Sequence, residues 1–294
     1  MLKPWSAGSF GETNDRPLYQ GQSDVHGEDA TAQIFWWDSV GRFRFDKNDP
    51  QPFTLGYRWQ TMDLDTNSTR LPDHLDEISL AAGIPITRGD DGQLSAVVGL
   101  GYSGDNPFGN SSGYFGIGHV IYRRPMSEND SLIFSLDYNG NASFLPDVPL
   151  PGFQFERRAE RLSFGVGFPD SWVQWNITRE LSLDASYSVP FTASAELAYR
   201  FSPRWSAFVD YANWFNAFAL DDNPRTDRLF FQMSRVETGV RFQDTVWGIY
   251  LDVALAVGYA FEQNVDRGFD VRGLDHFSSV SDVPYVGLVV IGRF

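Results

Sequence analysis

The stretch Tyr250–Phe261, YLDVALAVGYAF, sorts its residues by twos. Leu251, Val253, Leu255, Val257, Tyr259 and Phe261 fall on one side, and Asp252, Ala254, Ala256, Gly258 and Ala260 on the other. A period of two belongs to a β-strand, whose successive side chains leave opposite faces, whereas a helix repeats every three to four residues. The first row is greasy and bulky; the second is small and carries an acid.

The same alternation recurs along the chain. FTLGYRWQTM sets Phe53, Leu55, Tyr57 and Trp59 against Thr54, Gly56, Arg58 and Gln60. SLIFSLDYNG, SAELAYRF and SRVETGVRF repeat it, and so does the closing stretch YVGLVVIGRF, with Val286, Leu288, Val290, Gly292 and Phe294 on one face. No comparable run has helical spacing, so the chain is all-β.

Composition agrees. Of the 294 residues 16% are aromatic, with Phe 25, Tyr 12 and Trp 9, a mixture that favours strands. Lys and Arg number 23 against 38 Asp and Glu, giving net charge -15, which repels phosphate backbones and argues against a nucleic-acid partner. Cysteine is absent, so disulfides, thiolate metal sites and cysteine nucleophiles are excluded together. The first twenty residues lack the apolar segment of a signal peptide, so the chain is either cytosolic or written without its signal. No stretch of about 20 apolar residues is present, so any crossing of a membrane must use strands.

Two readings explain the alternation: a soluble β-sandwich binding carbohydrate, or a barrel with its apolar rows in lipid. The polar rows favour the barrel, because they mix Gly, Ala and Ser with isolated charges, as a crowded interior requires. Turns favour it too. Short ones (Ser202 to Arg204, Gln243 to Thr245, Arg88 to Gly92) alternate with long polar ones (Asp63 to His74, Ser103 to Gly113, Gly140 to Arg158, Leu220 to Asp227, Gln263 to Asp282), the asymmetry of transmembrane barrels. The twelve steps from Trp247 to Tyr259 rise roughly 30 Å, enough to cross an apolar band of ~25 Å between aromatic girdles.

A terminal strand ending in Phe294 resembles that of bacterial outer-membrane β-barrels, and LPDHLDEISLAAGI, VETGVRF and GIYLDVALAVGYAF are similar to segments of a group of such barrels without assigned function. The resemblance implies a bacterial outer-membrane location in a Gram-negative-type envelope, outer-membrane lipids as surroundings, and a periplasmic barrel-assembly machinery that reads Phe294, Val290 and Leu288. The expected architecture is one closed antiparallel transmembrane β-barrel over residues 30–294, an up-and-down meander of about 12 strands in a range of roughly 10 to 14. Residues 1–29 are expected to be a poorly ordered N-terminal extension.

Chemical motifs are weak. GLGYSG, Gly99 to Gly104, matches a dinucleotide pattern but opens no helix, and DLDTNS from Asp63 lacks the Gly and Glu of a calcium loop. No metal or cofactor is expected. Four histidines stand at 26, 74, 119 and 276; an outer-membrane lipid hydrolase would need His119 beside Ser111 or Ser112 on the outer wall. More telling are charges on inward rows: Arg58, Glu196, Arg200, Asp210, Arg235, Glu237, Arg241 and Asp252. A basic residue facing lipid at the midplane costs about 2 to 4 kcal/mol, so these are expected to line the lumen, either pairing across it or edging a path for small polar solutes. The expected function is a narrow passive, porin-like pore or a structural surface protein, without catalysis.

Overall fold

In the computed structural model residues 9–294 are described, apart from Lys47, Pro50, Gln51, Asp90 and Asp222. The strands are β1 (Gly11–Val25), β2 (Ala30–Arg44), β3 (Thr54–Thr66), β4 (His74–Gly89), β5 (Gly92–Gly104), β6 (Tyr114–Pro125), β7 (Asp130–Asn139), β8 (Leu150–Arg157) and β9 (Leu162–Phe168). They continue as β10 (Asp170–Asn176), β11 (Leu181–Ser188), β12 (Thr192–Arg200), β13 (Trp205–Phe218), β14 (Arg228–Val246), β15 (Ile249–Gly268), β16 (Asp275–Val280) and β17 (Val283–Arg293).

Each strand from β1 to β15 pairs antiparallel with the next, β17 pairs with β15 and β1, and the sheet closes. Sixteen strands make the barrel, and the short β16 is extra, lying on the far end of β15 above β17. The expected meander is present, but about 12 strands was too few. Two segments account for part of the shortfall. Gly11–Val25, placed in the N-terminal extension, is β1; its sequence GETNDRPLYQGQSDV offers few apolar residues, so its alternation does not read as a hydrophobic stripe. Leu150–Arg157, placed in a long loop, is β8, and Gln263 to Asp282 likewise holds the end of β15 and all of β16. Residues 1–8 of the extension lie outside the described residues.

The greasy rows face outward. Leu100, Leu80 and Val98 are 75%, 65% and 60% exposed, and Val209, Val240, Leu255, Val257, Val286 and Leu288 stand in the same belt. Such an exterior suits hydrocarbon and rules out the soluble sandwich, whose greasy rows would meet in a core. Aromatic pairs gird the short-turn rim: Phe45 with Phe53, Phe43 with Phe294, Trp205 with Phe242, at centroid distances of 5.2, 6.0 and 4.9 Å. Trp247 is in the turn that precedes β15, where it and Gly248 both have positive φ (51° and 80°), the conformation of a tight hairpin.

The termini seal the seam. Gly11 N–H donates to Phe294 O at 2.9 Å and Phe294 N–H to Gly11 O at 3.0 Å, so first and last strands meet at the short-turn rim.

The interior is divided rather than uniformly hydrophilic. At the long-loop end Leu18, Ile34, Trp36, Met62, Leu64, Leu75, Phe218, Leu229, Phe231 and Met233 form a dry cluster. The upper part of β13 builds it. Its pairing with β12 ends at Asn213, and residues 214–218 carry on without that neighbour. This segment crosses the lumen: Trp214 meets Trp36 edge to face, Asn216 Nδ2 donates to Gln60 Oε1 at 2.8 Å, and Ser103 Oγ donates to Ala217 O at 2.8 Å.

The candidate lumenal site

Below that cluster the lumen widens into a chamber of about 930 Å³. Inward rows of β1, β6 to β15 and β17 line it, because alternation sends every second side chain of each strand inside. Of the eight charges expected to face the lumen, Glu196, Arg200, Asp210, Arg241 and Asp252 line this chamber. Arg235 and Glu237 adjoin it: Arg235 lies 3.8 Å from Asp210, and Glu237 accepts the Tyr285 hydroxyl at 2.6 Å. Arg58 stands apart on β3, between Asp38 (3.3 Å) and Glu77 (3.8 Å).

Register sets the electrostatics. Glu196, Asp210 and Glu237 are direct cross-strand partners on β12, β13 and β14, so three carboxylates form one row. Like charges so placed repel unless cations intervene. Arg241, two pleats toward the short-turn rim, donates to both Glu196 oxygens at 2.7 and 2.6 Å and lies 3.3 Å from Asp252. Arg235 neutralises the row from the other side. Gly residues make room for the bulky partners: a Cβ on Gly258 would lie 2.4 Å from Tyr285 Cζ, and one on Gly239 2.7 Å from Phe208, whose ring the Arg241 guanidinium covers at 4.9 Å.

Several chamber residues belong to segments without a hydrophobic stripe. Glu12 and Arg16 come from β1, and Glu156 and Arg158 from β8 and its turn, the two segments not read as strands. Arg158 donates to both Glu156 oxygens at 2.6 and 3.1 Å. Arg293 was legible on the inward row of the closing strand. Phe294, Val290 and Leu288 lie on the outer face, on the same row as exposed Val286.

His119 points into the chamber, where its Nε2 is 3.0 Å from Asp137 Oδ1; Ser135 Oγ donates to the other Asp137 oxygen at 2.9 Å. Ser111 and Ser112 sit in the turn before β6, roughly 15 Å or more up the strand from this imidazole. The Ser and His arrangement expected on the outer wall is therefore not formed. Among the described residues no group of three or more His, Asp or Glu has the geometry of a metal site.

At the long-loop mouth the connections pack on one another. Arg225 donates to Gly140 O (2.9 Å) and pairs with Asp147 (2.7 Å); Arg228 reaches Asn141 Oδ1 (3.2 Å) and Ala142 O (3.0 Å). Asp105 accepts the Asp221 N–H at 3.0 Å. Burial pushes the Asp105 carboxyl above its ordinary value; the Asp221 N–H opposes this and the Asp221 carboxylate adds to it.

A closed antiparallel sheet of sixteen strands, greasy outside, charged within and girdled by aromatics, is a transmembrane β-barrel of the outer-membrane class. No protein-family model matches the chain, and no curated protein matches it. Solved structures match over nearly its whole length. A bacterial polysaccharide outer membrane secretin is 10% identical, with 98% of this chain and 100% of that one covered and a TM-score of 0.40. The toluene transporter TodX of P. putida is 10% identical over 98% and 91%, at 0.38. OmpT, an outer membrane protein of Vibrio cholerae, is 8% identical over 97% and 98%, at 0.29.

Proposed function

We propose that the protein is a bacterial outer-membrane channel whose polar chamber opens at the short-turn, periplasmic rim and is closed toward the cell surface by the inturned end of β13 and the loops above it. The chamber supports this reading. A purely structural barrel could fill its centre with side chains, whereas this one keeps about 930 Å³ edged by charges. Small polar solutes fit its lining, and outer-membrane lipids and a periplasmic assembly machinery are its expected partners.

Planar bilayers test the reading. The wild-type barrel is expected to pass small, infrequent current steps, because Trp36 and Trp214 block the mouth. Trp214→Ala is expected to enlarge or prolong them. A folded barrel that stays silent in both forms would leave a scaffold as the better description.

A further inference from the structure

The barrel wall is low on one flank. β8, β9, β10, β11 and β12 have 8, 7, 7, 8 and 9 residues, against 20 in β15. Seven residues at ~3.3 Å, tilted by ~40°, rise roughly 18 Å, short of an apolar band ~25 Å tall. The lower edge of this flank is fixed at the short-turn rim by charged turns, Arg157 to Arg161 and Arg179 to Glu180. Its upper edge therefore ends inside the membrane.

Chemistry at that edge agrees with the height. The two upper turns read Phe168-Pro169-Asp170 and Val189-Pro190-Phe191; their single carboxylate, on Asp170, accepts the Ser188 hydroxyl, while each of the other long-loop connections carries charge of its own. Three of their carbonyls accept hydrogen bonds from within the protein, as hydrocarbon demands. The prolines have no N–H; Val189 N–H donates to Pro169 O (3.0 Å), Gln154 Nε2 to Asp170 O (3.0 Å), and Tyr187 Oη to Pro190 O (2.9 Å).

Above the edge is a gap with a roof. β13 runs on from Trp214 to Phe218 without β12 beside it and turns into the lumen, while Leu150 to Gly152 of β8 rise past the last partner in β9. Arg225 and Asp147 tie the loops overhead together. The chamber lining reaches from Thr178 at the short-turn rim to Phe168, Pro169 and Asp170 at the top of the low wall. Just inside stands Trp172, its Nε1 at 2.5 Å from where a Cβ on Gly165 would be, with Gln154, Gln174, Ser186 and Ser194 around it.

Resting on the channel reading, we propose that the chamber has a lateral window above β9–β12, through which it meets outer-leaflet hydrocarbon and admits a single-chain amphiphile. The polar head lies against the glutamine and serine wall, and the chain passes over Phe168 and Phe191. The inturned end of β13 thus closes the mouth and opens the side at once.

The cysteine-free chain allows clean labelling. Nitroxides at Phe191→Cys and Thr226→Cys, in phosphatidylcholine vesicles, are compared for collision with oxygen and with a water-soluble nickel chelate. Phe191→Cys is expected to favour oxygen at least several-fold over the loop site Thr226→Cys; equal nickel access at both would place the low wall in water and overturn the window. Entry is read by quenching with a long-chain carboxylate brominated near its chain end. The fluorescence lost in Trp172→Phe is expected to be the part that this probe quenches inside the barrel. If that part responds only to aqueous iodide, the chamber is fed from the periplasmic side alone and the amphiphile is excluded. Ser194→Phe, narrowing the window without adding an indole, is expected to abolish brominated-probe quenching at Trp172 while current steps of the Trp214→Ala barrel persist. Loss of conductance with intact quenching would instead count against the channel reading alone.

Discussion

Arg241 on β14 holds both carboxylate oxygens of Glu196, two strands away on β12, reaching across β13 to do so. Strands two apart lie roughly 10 Å from each other, within the joint reach of an arginine and a glutamate, and the concave inner face of the barrel tilts the two side chains together.

Replacing Arg241 by Met removes the guanidinium that Glu196 and Asp252 share. Breaking a buried pair costs about 3 to 5 kcal/mol and a surface pair ~1 or less, and a wet chamber lies between them, so a loss of about 2 kcal/mol is expected. Urea unfolding in detergent, followed by the gel shift between folded and boiled forms, measures it. The double variant Arg241→Met with Glu196→Gln should recover part of the loss.

Gly258→Val places a branched side chain where the Tyr285 ring lies and displaces the hydroxyl from Glu237. Overpacking costs about 1 to 3 kcal/mol and the lost bond ~1 more, so a destabilisation near 3 kcal/mol is expected. Tyr285→Phe, which removes the hydrogen bond alone, should cost the smaller part.

The Asp105 carboxyl, raised by burial under the loops, makes the mouth pH-sensitive. The packed loops bind its proton more tightly than the open chain does, so the stabilisation is full below the ordinary aspartate range and is lost as pH rises through the raised value. Proteolysis of the Ala219 to Asp227 loop should slow on acidification. Asp105→Asn should make the rate independent of pH over that interval; an unchanged pH dependence would assign it elsewhere.

Phe294→Ala separates packing from recognition. If the terminal ring is read by assembly machinery, spontaneous refolding into detergent should match the wild type while the amount reaching the outer membrane falls several-fold. An equal deficit in both settings would make Phe294 a seam residue that packs on Phe43 and nothing more.

Strand faces were legible wherever greasy and small residues strictly alternate, as in Tyr250–Phe261 and the closing strand, because hydrocarbon outside and crowding inside impose opposite requirements. The arginines of β12 to β14 could be turned inward from sequence for the same reason. Strand number was not legible, since β1 carries Thr13, Asp15 and Pro17 on its outward row and so lacks the stripe by which a strand is recognised. The dry upper cluster was hidden as well. In RLFFQM, Leu229, Phe230 and Phe231 are all buried, and a run apolar on both faces gives no hint of which side is dry. The low flank was visible only as an ambiguity around Pro169, whether one bent strand or two short ones, and the pairing of β9 with β10 resolves it as two.

Strands of seven or eight residues on one flank have an effect beyond the protein. Lipid must match the hydrophobic height it meets, at a cost of fractions of a kcal/mol for each ångström of disagreement. Beside β9 to β11 the bilayer thins and the barrel leans, which narrows the step at their edge without carrying that edge out of the outer leaflet. The molecule therefore carries its own dimple, and neighbours with equally short walls will gather along that side.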